Sequence, residues 1–479
     1  MKKKFRSLIA VVVAGLLLAI NLHSQTPAVP PQQPRTDQHV FMISIDGLVP
    51  EYYTAPAPLG LKVPNLTRMK LEGAYSDGVE GVYPTVTYPA HTTLISGVRP
   101  ARHGIVQNRI FEAPTVEQTK EWYWFAKDLK SETLWSIAKK AGLSTAAVGW
   151  PVTVGAEIDY NFPEIFDPKE NPPTPKRALQ YTTPGLIAKA APSIRPTDTT
   201  TDGRRTAVSE FIIENYKPNL MLIHLVELDS AHHRYGPRSP QALEVTERED
   251  AFIGRIIEAT RKAGIFDKST FFLVSDHGFA AVDRKFNPNV VLAREKLITL
   301  DAAGKATDWK AAAWPAGGSC AIVLRDPSDK ETAAKVAAIF EKYLARSKGP
   351  VGRIVTRKEL DGLGAIPEAA LMLDAAPGVS FDEKLVGAEI VESKDYLGTH
   401  GHLPSRAELR SALIIYGAGA RVGARMALAR MIDIAPTAAG LLGLLFTEPE
   451  GAAITELVKP GLMPKPPAKK EKKEKANKP

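Results

Sequence analysis

The chain has 479 residues, of which 44% are hydrophobic and 24% are charged, so it can bury a sizeable core. Much of the formal net charge of +8 comes from lysine-rich segments at the two ends, with no basic stripe interleaved with aromatic residues between them. This charge pattern argues against nucleic-acid binding. The single cysteine, Cys320, excludes an internal disulfide and a structural metal cage built from cysteines.

The N-terminus has the parts of a secretory signal peptide: a cationic start, MKKKFRS, an apolar run, LIAVVVAGLLLAI, and a polar segment. We predict a signal peptide at 1–25, a linker at 26–37 and an exported protein, periplasmic or secreted. The apolar run is shorter than the roughly 20 residues that span a membrane, so no stable membrane span is expected. An uncleaved N-terminal anchor is the alternative, because the run is not followed by a clear cleavage site.

Buried-strand patterns then alternate with helical patterns in chain order. The strand patterns are HVFMISIDGL, LSTAAVGWP, NLMLIHLVELD, STFFLVSDHGF and SALIIYG, and the helical patterns include ETLWSIAKKAG, RRTAVSEFIIENYKP and EVTEREDAFIGRIIEATRKAG. This alternation predicts an α/β fold with a mostly parallel central sheet flanked by helices on both faces.

Two segments interrupt the alternation. The first, about 155–201, is rich in proline and threonine and is predicted to be an insertion or lid loop. The second, about 286–394, is less regular and is predicted to form a small cap or subdomain. The whole domain is expected to span 38–458, followed by a disordered Lys/Pro-rich tail at 459–479.

Three of the predicted strands lead into an aspartate: Asp46, Asp229 and Asp276. Since ligands bind beyond the carboxyl ends of strands in open α/β sheets, we expect these acids to converge there. His233 follows Asp229 by four residues, a spacing that places both side chains on one face of a helix. His277 is adjacent to Asp276.

A glycine-rich loop, GTHGHLP, adds His400 and His402. Aspartate and histidine are ligands suited to zinc, and a catalytic zinc takes three protein ligands. Two divalent metals, about 3.5–4 Å apart, can clamp the attacking and leaving oxygens of a phosphoryl displacement. The predicted ligand sets are Asp229, His233 and one loop histidine for the first metal, and Asp46, Asp276 and His277 for the second.

The stretch YPTVTYPAHTTLISG supplies the candidate nucleophile. Its threonines lie at a predicted helix start, where unpaired N–H groups suit phosphate. Thr87 precedes Pro89, which suits the first helical position, and a hydroxyl beside a metal acquires a lowered pKa. Thr85, Thr92 and Thr93 compete with it, although the last two fall within the predicted helix, where packing or capping is more usual.

The ordered motifs DG, TVTYPAHTTLISGVRPARHGIVQN, ELDSAHHRYGP, SDHGF and THG resemble the nucleotide pyrophosphatase/phosphodiesterase family of the alkaline phosphatase superfamily. The resemblance covers most of residues 40–444. It implies an alkaline phosphatase-like fold and a two-zinc hydrolase that cleaves phosphodiester or pyrophosphate bonds. The implied substrate is a small-molecule phosphodiester or a nucleotide, attacked by a threonine.

Residue by residue, the resemblance implies that Thr87 is the nucleophile and also a ligand of the second metal. It implies that His400, ahead of His402, completes the first metal site. Asn108, in HGIVQN, would hold a phosphoryl oxygen together with the backbone N–H of Thr87.

The resemblance also implies that a nucleotide base is held between two aromatic residues. Tyr88 occupies the first of these positions. The second, a tyrosine in nucleotide-cleaving members, is His224 here, so this clamp departs from the family pattern. The alternative for His224 is a strand residue packed beneath the edge of the sheet. A second departure is Ala90, where the family often has asparagine.

Two other functions stay open. A phosphomonoesterase, or a phosphonate- or sulfate-ester hydrolase of the same superfamily, would need a cation for the additional charge, and Arg109 next to Asn108 is the candidate. A non-catalytic binding protein would need a broken nucleophile or ligand set, whereas every expected position is filled. Nucleotides, dinucleotides, lipid diesters and glycerophosphodiesters are all compatible with the motifs.

Overall fold

Twenty strands build the sheets of the computed structural model, which describes residues 33–167 and 176–463. In chain order they are β1 His39–Ile45, β2 Ala74–Ser76, β3 Val79–Glu80, β4 Thr145–Val148, β5 Tyr160–Phe162, β6 Leu220–Leu225, β7 Ser269–Val274, β8 Ala280–Phe286, β9 Ile298–Leu300, β10 Ala306–Trp309, β11 Ala311–Ala316, β12 Ser319–Leu324, β13 Val351–Thr356, β14 Ala369–Ala375, β15 Gly378–Phe381, β16 Ile390–Glu392, β17 Gly398–Thr399, β18 Leu413–Gly417, β19 Arg425–Met426 and β20 Ala429–Arg430.

Fourteen α-helices lie within the same described ranges. They are α1 Glu51–Thr54, α2 Pro64–Glu72, α3 Thr87–Ser96, α4 Pro100–His103, α5 Leu134–Lys140, α6 Lys176–Tyr181, α7 Leu186–Ala190, α8 Thr201–Tyr216, α9 Glu227–Tyr235, α10 Pro240–Lys262, α11 Pro288–Arg294, α12 Lys330–Leu344, α13 Arg357–Leu363 and α14 Ile434–Leu441. None of these helices is both long enough and apolar enough to cross a membrane.

The central sheet has eight strands in the order β19-β2-β18-β7-β1-β6-β4-β5. Strands β7, β1, β6, β4 and β5 are parallel, whereas β18 is antiparallel to both of its neighbours. Since parallel strands share a carboxyl edge, the segments that follow β1, β6 and β7 leave the sheet side by side.

Alternating side chains of β1 feed two separate cores, as the period of a strand requires. Val40 and Met42 belong to the core that α3, α5 and α14 cover. Phe41, Ile43 and Ile45 belong to the core on the opposite face, beneath α2, α8 and α10. The predicted parallel sheet with helices on both faces is therefore confirmed.

The segment predicted as a subdomain has its own sheet and its own core. Strands β11, β12, β14 and β13 form an antiparallel sheet in that order, and α12 packs against it. Ile322, Phe340 and Leu373 lie at the centre of this core, each with 0% of its surface exposed.

Several predicted boundaries differ from the structure or lie outside its described part. Part of the predicted 155–201 insertion is β5, which pairs with β4 at the edge of the central sheet. Helix α3 begins at Thr87, so Pro89 is its third residue, where its missing N–H still costs no helical hydrogen bond. The predicted signal peptide and most of the predicted tail lie outside the described residues, as does 168–175.

Candidate metal centre and active site

Two aspartates reach the carboxyl edge of the sheet from neighbouring strands. Asp46 directly follows β1, and Asp276 follows β7 by two residues. Both are buried, with at most 1% of their surface exposed. The backbone N–H of Gly47 donates to Oδ1 of Asp276 (3.0 Å), so the turn after β1 orients the acid that follows β7.

These acids form one triad with His277, which we call the second triad. Nε2 of His277 lies 3.0 Å from Oδ2 of Asp276 and 3.4 Å from Oδ1 of Asp46. One donor atom from each residue lies within 4.8 Å of the other two. The three side chains predicted for the second metal are therefore next to each other.

The first triad consists of Asp229, His233 and His400. Asp229 and His233 lie one turn apart on α9, with Nε2 of His233 3.3 Å from Oδ1 of Asp229. Nε2 of His400 is 3.5 Å from the same oxygen. His400 reaches this position because β17 pairs with β8, the strand that follows His277.

The two triads adjoin each other. The rings of His277 and His400 are stacked, with 3.5 Å between their centroids. The backbone just after His400 requires glycine. Gly401 has a φ of +102°, and a Cβ there would lie 1.8 Å from the carbonyl oxygen of Ala316. Six donors from distant parts of the chain therefore form one continuous centre.

Backbone contacts orient all three triad histidines in the same way. Nδ1 of His233 contacts the Gly398 carbonyl oxygen (2.9 Å), and Nδ1 of His400 contacts that of Thr85 (3.0 Å). Nδ1 of His277 contacts the carbonyl oxygen of Gly278 (3.2 Å). Since a carbonyl oxygen only accepts, each Nδ1 carries a hydrogen, which leaves each Nε2 as the ring nitrogen that a metal ion would bind, as in metal-binding histidines.

Four of the six donor atoms at the centre are buried without a hydrogen-bond partner among the described residues. They are Oδ1 of Asp46, Oδ1 of Asp229, Oδ2 of Asp276 and Nε2 of His277. Burial and the charges of Asp276 and Asp229 raise the pKa of Asp46 well above its usual range. The residues therefore fit divalent metal ions that take mixed oxygen and nitrogen ligands.

His402 lies outside both triads. It is buried, and its ring packs over Gly318, where an added Cβ would lie 2.2 Å from it. Burial lowers the pKa of His402 to about 3, so the ring is neutral. The structure groups His400, and not His402, with Asp229 and His233.

Thr87 is the first residue of α3 and is linked to both triads through its neighbours. Its carbonyl oxygen accepts from Nδ1 of His91 (2.8 Å), and that nitrogen lies 3.8 Å from Oδ2 of Asp276. On the other side, the Thr85 carbonyl oxygen holds His400. The start of α3 is thus fixed between the two triads.

The other threonines of the stretch are engaged elsewhere. Thr85 Oγ1 donates to the carbonyl oxygen of His402. Thr92 and Thr93 donate to backbone carbonyl oxygens within and just beyond α3. These three residues are at most 2% exposed, whereas Thr87 is 8% exposed, which makes Thr87 the most accessible of the four.

Asn108 lies beside the start of α3. Its Oδ1 accepts the N–H of Tyr88 at 2.8 Å, which leaves the Nδ2 group as a donor next to Thr87. Asn108 is itself held by Gln107, whose Oε1 accepts the N–H of Asn108 (2.8 Å).

His224 does not occupy the position that a base clamp requires. It lies in β6 and is completely buried, so no substrate base can stack on its ring. Nε2 of His224 contacts Oδ2 of Asp46 (3.0 Å), and Nδ1 lies 3.3 Å from Oε2 of Glu164. The alternative, a strand residue packed beneath the sheet edge, agrees with the structure.

Tyr88 is also buried, with its ring against Trp122 and Trp124 and its hydroxyl donating to Oε1 of Glu164 (3.0 Å). A buried ring that is enclosed in this way cannot stack on a base. Tyr88 and His224 therefore do not form the expected aromatic clamp. Both side chains are instead packed beneath the metal centre, in a buried layer that we call the wall.

A buried ionic network that no sequence pattern indicated supports that wall. Glu164 receives a hydrogen bond from Arg205 Nη2 (2.8 Å), and Arg205 Nη1 donates to the carbonyl oxygen of His224 (2.9 Å). Although burial opposes it, the charges of His224 and Arg205 lower the pKa of Glu164 to about 2. His91 was also missed, yet its position four residues after Thr87 on one helix was a readable signal.

The comparisons with known proteins agree with this geometry. A family model described as type I phosphodiesterase / nucleotide pyrophosphatase matches residues 40–402. Human ectonucleotide pyrophosphatase/phosphodiesterase family member 1 is 25% identical over 252 residues, which are 50% of this chain and 23% of the human protein. The venom phosphodiesterase of Naja atra is 23% identical over 251 residues, 51% of this chain and 26% of the venom protein. The chain thus matches about a quarter of the length of these curated relatives.

Solved structures show the same fold. Human ectonucleotide pyrophosphatase/phosphodiesterase 5 superposes with a TM-score of 0.63 at 18% identity, covering 88% of this chain and 100% of the solved chain. An inactive variant of the murine protein, in complex with AMP, gives 0.64 at 18% identity with the same coverage. Since the family match extends over most of the chain, the chain belongs to the type I phosphodiesterase / nucleotide pyrophosphatase family.

Proposed function

We propose that the chain is an exported hydrolase that cleaves phosphodiester or pyrophosphate bonds of small nucleotide-like substrates. Thr87 would be the nucleophile, and the two triads would each hold a zinc ion. The observation that carries this proposal is the pair of adjoining triads, four of whose donor atoms are buried without a hydrogen-bond partner among the described residues, next to the start of α3. Membership of the family supports it.

Zinc bound at such a centre would lower the pKa of a neighbouring hydroxyl and offset the negative charge of the phosphoryl group. The chain itself supplies the rest. Oγ1 of Thr87 gives up its proton to solvent and forms a bond to phosphorus while the bond to the leaving oxygen breaks, and the leaving group takes up a proton. The resulting ester on Thr87 keeps the other group of the substrate on its phosphorus. Water then attacks that phosphorus, which releases a phosphomonoester and restores the Thr87 hydroxyl. Nδ2 of Asn108 and the N–H of Thr87 donate to the phosphoryl oxygen that gains charge.

A diester agrees better with the surroundings than a monoester does. Arg109, the candidate cation for the additional charge of a monoester, pairs instead with Glu383 (3.1 Å), which also pairs with Lys120 (2.7 Å). The AMP complex of the murine neighbour supports a nucleotide substrate. Arg109, the residue after Asn108, lines a cavity of about 260 Å³ together with Glu383, Trp314 and others. This cavity could receive the substrate's leaving group.

The domain organisation is part of the proposal. Residues 1–25 would be removed as a signal peptide and 38–458 would form the catalytic domain of a periplasmic or secreted enzyme. N-terminal sequencing of the protein recovered from outside the cytoplasm tests this, since a mature start near position 26 is expected.

Replacement of the nucleophile tests the function directly. Thr87→Ala removes the attacking oxygen but none of the six triad side chains, so we expect turnover of bis-p-nitrophenyl phosphate to fall by about 10³-fold or more, in keeping with loss of a nucleophile that acts with its partners as a unit. The variant should still contain zinc when its metal content is measured by elemental analysis, because all six triad side chains are kept.

Thr87→Ser is the matched control, because it keeps the hydroxyl and should retain measurable turnover. Full activity of Thr87→Ala with zinc bound would refute the assignment of the nucleophile.

A further inference from the structure

A half-buried tryptophan, Trp122, lies beside the start of α3. The segment that carries it is held to Asn108, because the N–H of Tyr123 donates to the carbonyl oxygen of Asn108 (3.0 Å). The ring of Trp122 also meets the ring of Tyr88 at an angle of 65°, with 5.1 Å between the two centroids. Trp122 therefore adjoins both Asn108 and the residue that follows Thr87.

Other aromatic rings already hold Trp122 in place. Trp124 stacks on it, with 5.6 Å between the centroids and 17° between the ring planes. Phe166 meets it at 68°, with 5.5 Å between the centroids. Trp124 is completely buried, and the guanidinium of Arg177 lies over its ring at 6.0 Å. The indole of Trp122 is thus supported before any ligand arrives, which reduces the entropy that binding costs.

Trp122 differs from the surrounding rings in its exposure. Tyr88, Trp124 and His224 are completely buried, so none of them can contact a substrate. Trp122 is half-buried, and among the described residues Trp124 is the one ring that stacks nearly parallel to it. Trp122 therefore keeps surface that a further planar group can contact.

We propose that Trp122 binds a planar aromatic group carried by the substrate and so determines which phosphodiesters are preferred. This inference rests on the proposed function. An indole ring stacks on a nucleobase or on another aromatic ring, and the contact tolerates differences between bases because every base has a π face. A substrate with an aliphatic group of similar charge would lose this contact.

The aromatic group is assigned to the part of the substrate that stays on phosphorus. In an in-line displacement the leaving oxygen lies opposite the attacking oxygen, which is Oγ1 of Thr87 here. The leaving group therefore points away from the start of α3, whereas Trp122 lies next to that start, at Tyr88 and Asn108. Trp122 thus selects the group that remains in the phosphomonoester product.

A pair of diesters with the same leaving group tests this assignment. The p-nitrophenyl ester of thymidine 5′-phosphate keeps a nucleoside on phosphorus, whereas methyl p-nitrophenyl phosphate keeps only a methyl group. We expect the zinc-loaded full chain to have the higher kcat/KM for the thymidine ester. Trp122→Leu should lower the ratio of the two kcat/KM values by about tenfold, the order of effect that loss of a base–aromatic stack gives.

Two further variants separate recognition from folding. Trp122→Phe keeps an aromatic ring and should restore most of the ratio, whereas a purely structural role of Trp122 would lower both kcat/KM values together and leave the ratio unchanged. Phe266→Leu is the matched control and should keep the wild-type ratio. Phe266 is also a half-buried aromatic residue, but it precedes β7 and so lies at the opposite edge of the central sheet.

Binding without turnover gives an independent measurement. AMP contains a base, whereas ribose 5-phosphate has the same phosphate and sugar without one. In the zinc-loaded Thr87→Ala chain, the added Trp122→Leu substitution should weaken AMP binding by about tenfold and ribose 5-phosphate binding by about twofold or less, as measured by isothermal titration calorimetry.

Three results would overturn the inference and leave the proposed hydrolase in place. They are a wild-type chain without preference for the thymidine ester, an unchanged ratio in Trp122→Leu, and equal weakening of AMP and ribose 5-phosphate. A wild-type chain that cleaves neither diester would instead refute the proposed function, and the comparison of AMP with ribose 5-phosphate would still decide the role of Trp122.

Discussion

His224 illustrates how one buried residue can adjust a metal centre without touching the substrate. Burial alone would lower its pKa, but the charge of Glu164 and the hydrogen bond to Asp46 raise the pKa of His224 to about 10. The ring is therefore a cation at neutral pH and donates from both nitrogens, to Asp46 and to the carbonyl oxygen of Gly149. It holds Oδ2 of Asp46 so that Oδ1 faces the second triad.

From this contact we expect His224→Gln to weaken zinc binding at the second triad. The amide cannot carry the positive charge that His224 places against Oδ2 of Asp46, and loss of such a supporting contact costs about 10–100-fold in metal affinity. Competitive zinc titration should resolve a weakened site alongside an unchanged first triad. A zinc affinity of the second triad that is the same before and after the substitution would show that His224 only fills space.

At the scale of elements, α3 and α4 are joined by a buried histidine. Nδ1 of His103, in α4, accepts the N–H of Ile105 (3.1 Å), so Nε2 carries the hydrogen and donates to Oγ1 of Thr93 in α3 (3.1 Å). Burial lowers the pKa of His103 to about 3, well below the 6.5 of an exposed histidine. The helix that begins with Thr87 is thus held by a ring that must stay neutral.

This contact predicts a pH dependence of stability. Since the unfolded chain binds a proton near pH 6.5 and the folded chain does not, the contribution of His103 is complete above 6.5 and is lost as the pH falls toward 3. The difference in unfolding free energy between wild type and His103→Asn should therefore shrink by about 1.4 kcal/mol per pH unit below 6.5. Urea unfolding at pH 7, 6 and 5 measures it, and a difference that does not change with pH would be inconsistent with a neutral buried ring.

The elements also show what a sequence can and cannot predict here. Strand periodicity placed Asp46 and Asp276 at the sheet edge, and helical spacing paired Asp229 with His233, because both patterns are local. Glu164 and Arg205 were not predictable, since their partners lie on other elements and a carboxylate in a Pro/Thr-rich segment has no local pattern. The prediction that His224 takes part in an aromatic clamp was wrong, because its position in the sequence does not reveal how deeply its side chain is buried.

At the scale of the whole molecule, the subdomain contributes to the region next to the centre. Glu383, which follows β15, reaches across to pair with Arg109 beside Asn108. The pair is about 40% exposed on each side, so it is partly screened by solvent. This contact joins the segment after β15 to the residue that follows Asn108, and it pairs the cation that a monoester would otherwise attract.

Glu383→Gln should therefore release Arg109 and favour monoesters. We expect the ratio of kcat/KM for bis-p-nitrophenyl phosphate to that for p-nitrophenyl phosphate to fall by about threefold to tenfold, corresponding to about 1 kcal/mol for a partly exposed charge. Glu341→Gln, an exposed position on α12, is the control and should leave the ratio unchanged. A constant ratio in Glu383→Gln would exclude Arg109 as a determinant of specificity.

The central claim is that two adjoining metal sites activate the hydroxyl of Thr87. Anomalous diffraction at the zinc absorption edge, from crystals of the zinc-loaded protein, tests it most directly. We expect two peaks, one within about 2 Å of the ligand atoms of Asp229, His233 and His400 and the other equally close to those of Asp46, Asp276 and His277, with the Thr87 hydroxyl as an additional ligand of the second. A single peak, peaks elsewhere, or a Thr87 hydroxyl turned away from both would contradict the account.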